Sequence, residues 1–141
     1  MSNDKDFVPY SIALELKPIG FDEPCFGCYD EKGVFGLTVM SIKQYYINIK
    51  EDTWNCSAPL YQQAFRWFRE KYGIKHMIFA GKISTVFYGY DLLHIEEQEF
   101  VVNNSDNGGG DCDYTTYEEA EQACLIKLIE ICKTKNNEQT N

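Results

Sequence analysis

Between Ser57 and Gly73 the chain reads SAPLYQQAFRWFREKYG, and its apolar positions recur at helical spacing. Tyr61, Ala64, Phe65, Phe68 and Tyr72 fall three and four residues apart, so one stripe of a helix carries them. Gln62, Gln63, Arg66, Arg69 and Glu70 lie mostly off that stripe. Ser57 is the predicted N-cap, because its hydroxyl can accept from a first-turn N–H, and Pro59 suits the first turn. Gly73 is the predicted stop, since glycine enters the left-handed C′ conformation without strain. A second helical pattern runs through Ala120, Cys124, Leu128 and Ile131, with Thr116 and Glu119 forming a capping box ahead of it. Glu118, Glu119 and Glu121 come early in it and Lys127 and Lys133 late, which suits the helix dipole. A shorter helix is predicted from Tyr10 to Lys17 on Ile12, Ala13 and Leu16, with Ser11 as cap and Pro18 as terminator.

Elsewhere the pattern is that of strands. Cys25 to Tyr29 and Val34 to Met40 read as a hairpin turned by Glu31-Lys32-Gly33. Ile42 to Lys50 alternates, with Tyr45, Ile47 and Ile49 on one face and Gln44, Asn48 and Lys50 on the other. Glu51 to Cys56 reads as a connection. Met77 to Ala80, Ser84 to Tyr90 and His94 to Val102 are rich in β-branched and aromatic residues, with turns expected at Gly81-Lys82 and at Asp91. Asn103 to Asp113 reads as a flexible loop. Residues 1–8 and 134–141 are polar and are predicted to be flexible tails. The order is α-β-β-β-α-β-β-β-α, an α+β fold with helices on largely antiparallel sheet, in a single domain over 1–141.

Composition narrows the possible functions. Hydrophobic content of 44% and aromatic content of 15% support a packed core. A formal charge of −9 opposes direct nucleic-acid binding, which needs clustered Lys and Arg, and it opposes an anionic membrane surface. No apolar run approaches the ~20 residues of a membrane span, and MSNDKDFVPY lacks the features of a signal peptide. A cytoplasmic protein is therefore expected, with its six cysteines as thiols.

The chemical motifs are fragmentary. Pro24-Cys25-Phe26-Gly27-Cys28 matches P-C-x-x-C and His94-Ile95-Glu96 matches H-x-E, the two halves of the zinc nucleobase-deaminase signature. Their order is reversed here, and both halves read as strand or turn, where that chemistry places its ligands at helix N-termini. A structural zinc on Cys25 and Cys28 would need two more ligands from Cys56, Cys112, His76 and His94, none of them paired at knuckle spacing. Asp106, Asn107, Asp111 and Asp113 do not have EF-hand spacing. Gly81-Lys82 is not a phosphate loop, and neither a G-x-S-x-G elbow nor an H-E-x-x-H helix occurs. No metal or cofactor is expected.

Two resemblances add context. The segments FDEPCFGCYD, APLYQQAFRWFREKYG and TYEEAEQACLIKLIEIC together resemble a family of small proteins common in gut anaerobes and often carried on phage-like or mobile elements. No activity of that family carries over. From the central helix onward, the order helix, three strands, helix is similar to that of the double-stranded RNA-binding domain. That domain holds phosphates with lysines at the start of its last helix, where this chain has Thr116, Tyr117, Glu118 and Glu119. The resemblance therefore implies a shape and not the function.

Two surface features are expected to matter. Arg66, Trp67 and Arg69 are placed on the outer side of the central helix, an Arg–aromatic set of the kind enriched in binding hot spots. Residues 91–113 hold Asp91, Glu96, Glu97, Glu99, Asp106, Asp111 and Asp113 with neither Lys nor Arg, and are expected to form an acidic face. The leading expectation is a small non-catalytic module that binds a protein partner through Arg66, Trp67 and Arg69. One alternative is an acidic decoy that imitates nucleic-acid charge through the second feature. Another is an enzyme whose site none of these motifs describes.

Overall fold

A computed structural model describes residues 3–37, 55–82, 85–107 and 113–140. The strand expected over Ile42 to Lys50 lies outside the described residues. The chain divides into two compact units, Met1–Trp67 with Lys133–Asn141, and Phe68–Cys132, with boundaries that fall inside two of the helices.

The first unit opens with a 3-10 turn at Asn3–Asp6 and the helix α1, Tyr10–Leu16. Pro9 stands at the N-cap and contributes no side-chain cap bond, so Ser11 is not the cap but a residue inside the helix. The strands β1, Gly27–Tyr29, β2, Phe35–Leu37, and β3, Cys56–Ala58, form an antiparallel sheet in the order β2-β1-β3. The hairpin turn is the expected one. Gly33 takes φ 78°, and the Asp30 carboxylate accepts from the Lys32 and Val34 N–H groups at 2.8 and 2.9 Å.

The strand β3 was not expected, and it moves the start of the central helix. Ser57 pairs with Cys28 in the sheet and so is not an N-cap, and α2 runs from Tyr61 to Tyr72. Sheet pairing wins because it satisfies the backbone of three residues, whereas a cap satisfies one donor. The Pro59 carbonyl accepts from Val8 N–H at 2.8 Å, and the Tyr29 hydroxyl donates to the Val8 carbonyl at 2.8 Å. These bonds tie down residues read as a loose tail, and Val8 is wholly buried. Val8, Leu16, Phe21, Cys25, Cys28, Ala58 and Phe65 are each no more than 2% exposed and make this unit's core.

The second unit begins in α2 and continues into β4, Ile74–Lys82, β5, Val86–His94, and β6, Phe100–Val102, antiparallel in the order β4-β5-β6. Gly73 ends α2 at φ 66° with its N–H on the Arg69 carbonyl at 3.1 Å, as the sequence predicts. A short helix α3, Asn104–Asn107, leads towards α4, Tyr117–Gln139. The capping box is present: Glu119 N–H donates to Thr116 Oγ1 at 3.2 Å, while its carboxylate accepts from the Thr115 N–H and hydroxyl. The helix continues through the residues read as a C-terminal tail, and in the first unit Lys133 forms an ion pair with Glu15 of α1.

The α-β-β-β-α-β-β-β-α order and the α+β class hold, with two three-stranded sheets among the described residues. Phe68, Ile74, Tyr90, Leu92, Ala120, Cys124, Leu125 and Leu128 are each no more than 2% exposed and form the second unit's core. No helix among the described residues is long and apolar enough to cross a membrane.

Candidate functional site

The expected Arg66, Trp67, Arg69 patch does not form as a surface. Trp67 is 4% exposed and meets Phe21 edge-on, with ring centroids 5.3 Å apart. It belongs to the first unit's core, because an indole contributes more by burying its rings than by facing water. Arg66 is exposed and holds Glu23 at 3.2 Å. Gln63 Nε2 donates to the same Glu23 carboxylate and, at 2.7 Å, to the Pro24 carbonyl, so the contacts of Arg66 support the loop leading to Cys25. Arg69 lies in the second unit, where its charge helps to hold His76 neutral.

The expected acidic face is also divided. Asp91 is 2% exposed and sits in the middle of β5, opposite Met77, where a turn was predicted. Its Oδ1 accepts from the N–H groups of Asn104 and Ser105 at 2.7 and 3.1 Å, so it starts α3 instead of facing solvent. The Asn104 side chain returns a bond to the Tyr90 carbonyl at 2.7 Å. Glu96, Glu97 and Glu99 are exposed together between β5 and β6, where Gln98 takes φ 55°, and Asp113 is exposed before α4. Asp111 lies outside the described residues.

The thiols are held in an unreactive state. Cys25, Cys28 and Cys56 are buried in the first unit, and burial pushes them up to about 12, 11 and 11. The Glu23 charge adds to the effect at Cys25, where the Ser57 and Gln63 side chains partly offset it. Cys124 in α4 is also pushed up, by burial first and then by Glu121 and Asp91. A nucleophilic or metal-binding cysteine must ionise, and these environments oppose ionisation. Among the described residues, no group of three or more His, Cys, Asp and Glu side chains could hold a metal ion. Burial, with Arg69 second, pushes His76 down to about 4, so it is neutral at pH 7.

The second unit exposes part of one face of its sheet. Along β4 and β5 the side chains alternate between two faces. Ile74, Tyr90 and Leu92 belong to the inner face, where Tyr117 of α4 meets Tyr88 edge-on at 6.4 Å. The outer face carries Lys75, Met77, Phe79, Phe87 and Leu93, with buried Gly89 and Asp91 between them where α3 meets β5, and Phe100 of β6 pairs with Leu93 across a bulge. Met77 and Phe100 are 43% and 45% exposed. At Gly81 the Phe87 ring packs over the backbone, and a Cβ there would lie 2.2 Å from the ring and displace it.

The edge of the same sheet is notable too. β4 is nine residues long and pairs with β5 and with no other strand among the described residues. The sequence predicts strand only over Met77 to Ala80 in this stretch. The alternation Lys75, Met77, Phe79 was the available signal for the outer face, but edge position is a property of topology that one chain segment does not encode. No family model, curated protein or solved structure matches this chain.

Proposed function

We propose that this chain is a non-catalytic protein-interaction module whose contact surface is the outer face and edge of the β4-β5-β6 sheet. The observation that carries this reading is the exposure of Met77 on β4, a nine-residue strand that pairs only with β5 among the described residues, and of Phe100 on β6. An edge strand offers a row of backbone donors and acceptors, and apolar side chains next to it add affinity when a partner covers them. The suppressed thiols and the neutral His76 supply neither a nucleophile nor a poised acid, which favours binding over catalysis. The acidic-decoy reading loses Asp91 to the interior and keeps Glu96, Glu97 and Glu99 on a single turn.

The test is affinity capture from lysate with wild-type protein and with the double variant Met77→Ser, Phe100→Ser, at low and high salt. Capture at both salts that the double variant loses, with its circular dichroism unchanged, supports the reading. Capture that the double variant retains overturns it. Capture at low salt only, lost on neutralising Glu96, Glu97 and Glu99 to Gln, would replace it with the charge-mimic reading, because salt screens such attraction.

A further inference from the structure

We propose that Met77 is a modification site: hydrogen peroxide converts its thioether to the sulfoxide while the buried cysteines are spared, and the change switches off the contact made through Met77. The switch rests on the reading of the outer sheet face as contact surface; the oxidation does not.

Two kinds of sulfur are present, and they meet an oxidant by different routes. A thiol reacts with peroxide as its thiolate, so it must both ionise and be reached. Cys25, Cys28, Cys56, Cys124 and Cys132 are all buried, and burial holds the first four above the ordinary thiol value. A thioether has no proton to lose. Its neutral sulfur is the nucleophile, so access alone governs the rate.

Met77 has that access. It lies on the outer face of the sheet, between Lys75 and Phe79 along β4 and opposite Asp91 of β5, and is 43% exposed. The short helix α3 meets the sheet at Asp91, whose carboxylate takes the Asn104 and Ser105 N–H groups, and it leaves Met77 exposed. Met1, Met40 and Cys112 lie outside the described residues.

The step balances with peroxide as the one co-reactant. The sulfur lone pair forms an S–O bond to one peroxide oxygen as the O–O bond breaks. The departing hydroxide takes the proton from the transferred oxygen and leaves as water. Sulfur gives up two electrons and the peroxide accepts them. The product carries a polar S=O where the side chain was apolar. At an exposed position the free protein keeps that group in water, so folding is little affected. Under a partner the group must be desolvated, so the cost falls on the contact.

Peroxide treatment of the full chain at pH 7, native and in urea, followed by peptide mass mapping, tests the site. Met77 should gain one oxygen in the native chain at a rate within about tenfold of its rate in urea, while the five buried cysteines slow at least about a hundredfold on folding. A larger slowing at Met77, or oxidation of those cysteines ahead of it, overturns the proposal. Lysate capture with the oxidised chain, its circular dichroism unchanged, tests the switch. Capture should fall at least about tenfold, stay low in dithiothreitol, which reverses disulfide and sulfenic acid formation, and return after treatment with methionine sulfoxide reductases for both epimers. An N-terminally tagged Met1→Leu, Met40→Leu variant, in which Met77 is the chain's remaining methionine, should lose and regain capture in the same way. Capture that persists with Met77 fully converted overturns the switch. If the untreated chain captures nothing, the contact and the switch fall together, and the oxidation site stands or falls on the mass mapping.

Discussion

Replacing Asp91 should destabilise the second unit through two backbone donors that the substitution leaves without an acceptor. The Asn104 N–H is buried at 2.7 Å from Oδ1, and the Ser105 N–H is part-buried at 3.1 Å. A fully buried donor left unpaired costs roughly 1–3 kcal/mol, so we assign about 2 kcal/mol to Asn104 and about 1 kcal/mol to the wetter Ser105. Asp91→Ala should then lose about 3 kcal/mol. Asp91→Asn keeps an acceptor oxygen in place and gives up the charge, and should lose about 1 kcal/mol. Both variants remove a buried carboxylate, so whatever stability its desolvation cost is regained in each. The gap between them, about 2 kcal/mol, isolates the orphaned donors. Urea titration gives the two stabilities, and native-state hydrogen exchange at Asn104 and Ser105 reads the local opening, with about thirtyfold faster exchange in Asp91→Ala than in Asp91→Asn. If Asp91→Ala is no less stable than Asp91→Asn and the two amides exchange alike, Asp91 does not hold the start of α3.

Trp67→Ala should lose about 3–5 kcal/mol in urea titration, as expected for a large core aromatic, whereas Arg66→Ala at its exposed ion pair should lose under about 1 kcal/mol. Equal effects would return Trp67 to the surface. His76 makes stability depend on pH. Its pKa is about 4 in the fold against 6.5 in the ordinary state, so between these values the unfolded chain binds more protons and stability falls as pH drops from about 6.5 to about 4. The loss should reach at most about 3 kcal/mol, and the wild-type minus His76→Gln difference in urea stability should show it. At pH 8, iodoacetamide should leave Cys25, Cys28, Cys56 and Cys124 unmodified in the native protein and label all four in denaturant, as read by peptide mass mapping. Rapid native labelling at Cys25 would overturn the assignment of these thiols to the core.

Much of the helical structure was legible because helices are local. The stripe of Phe65 and Phe68, the stop at Gly73 and the capping box at Thr116 and Glu119 all act within a few residues, and all stand in the fold. The start of α2 was misread for the opposite reason. Ser57 is a good cap by local chemistry, yet Cys28, far away in sequence, claims it for a sheet. Asp91 misled similarly: an aspartate among aromatic residues resembles a turn, and its actual partners lie 13 and 14 residues on. Trp67 sat off the apolar stripe and so read as exposed, until Phe21 supplied a second surface to cover it.

The sequence by itself determined the fold class, the order of elements and the negative charge, because periodicity, caps and composition are additive along a chain. Only the tertiary structure decided which polar and aromatic residues face water. It took Trp67 into the first unit's core, buried Asp91 against two backbone donors of α3, divided the expected acidic face, and left Met77 on β4 and Phe100 on β6 exposed. Burial depends on what arrives from elsewhere in the chain, and a strand becomes an edge through the pairing of all its neighbours. Neither property is written in the residues that bear it.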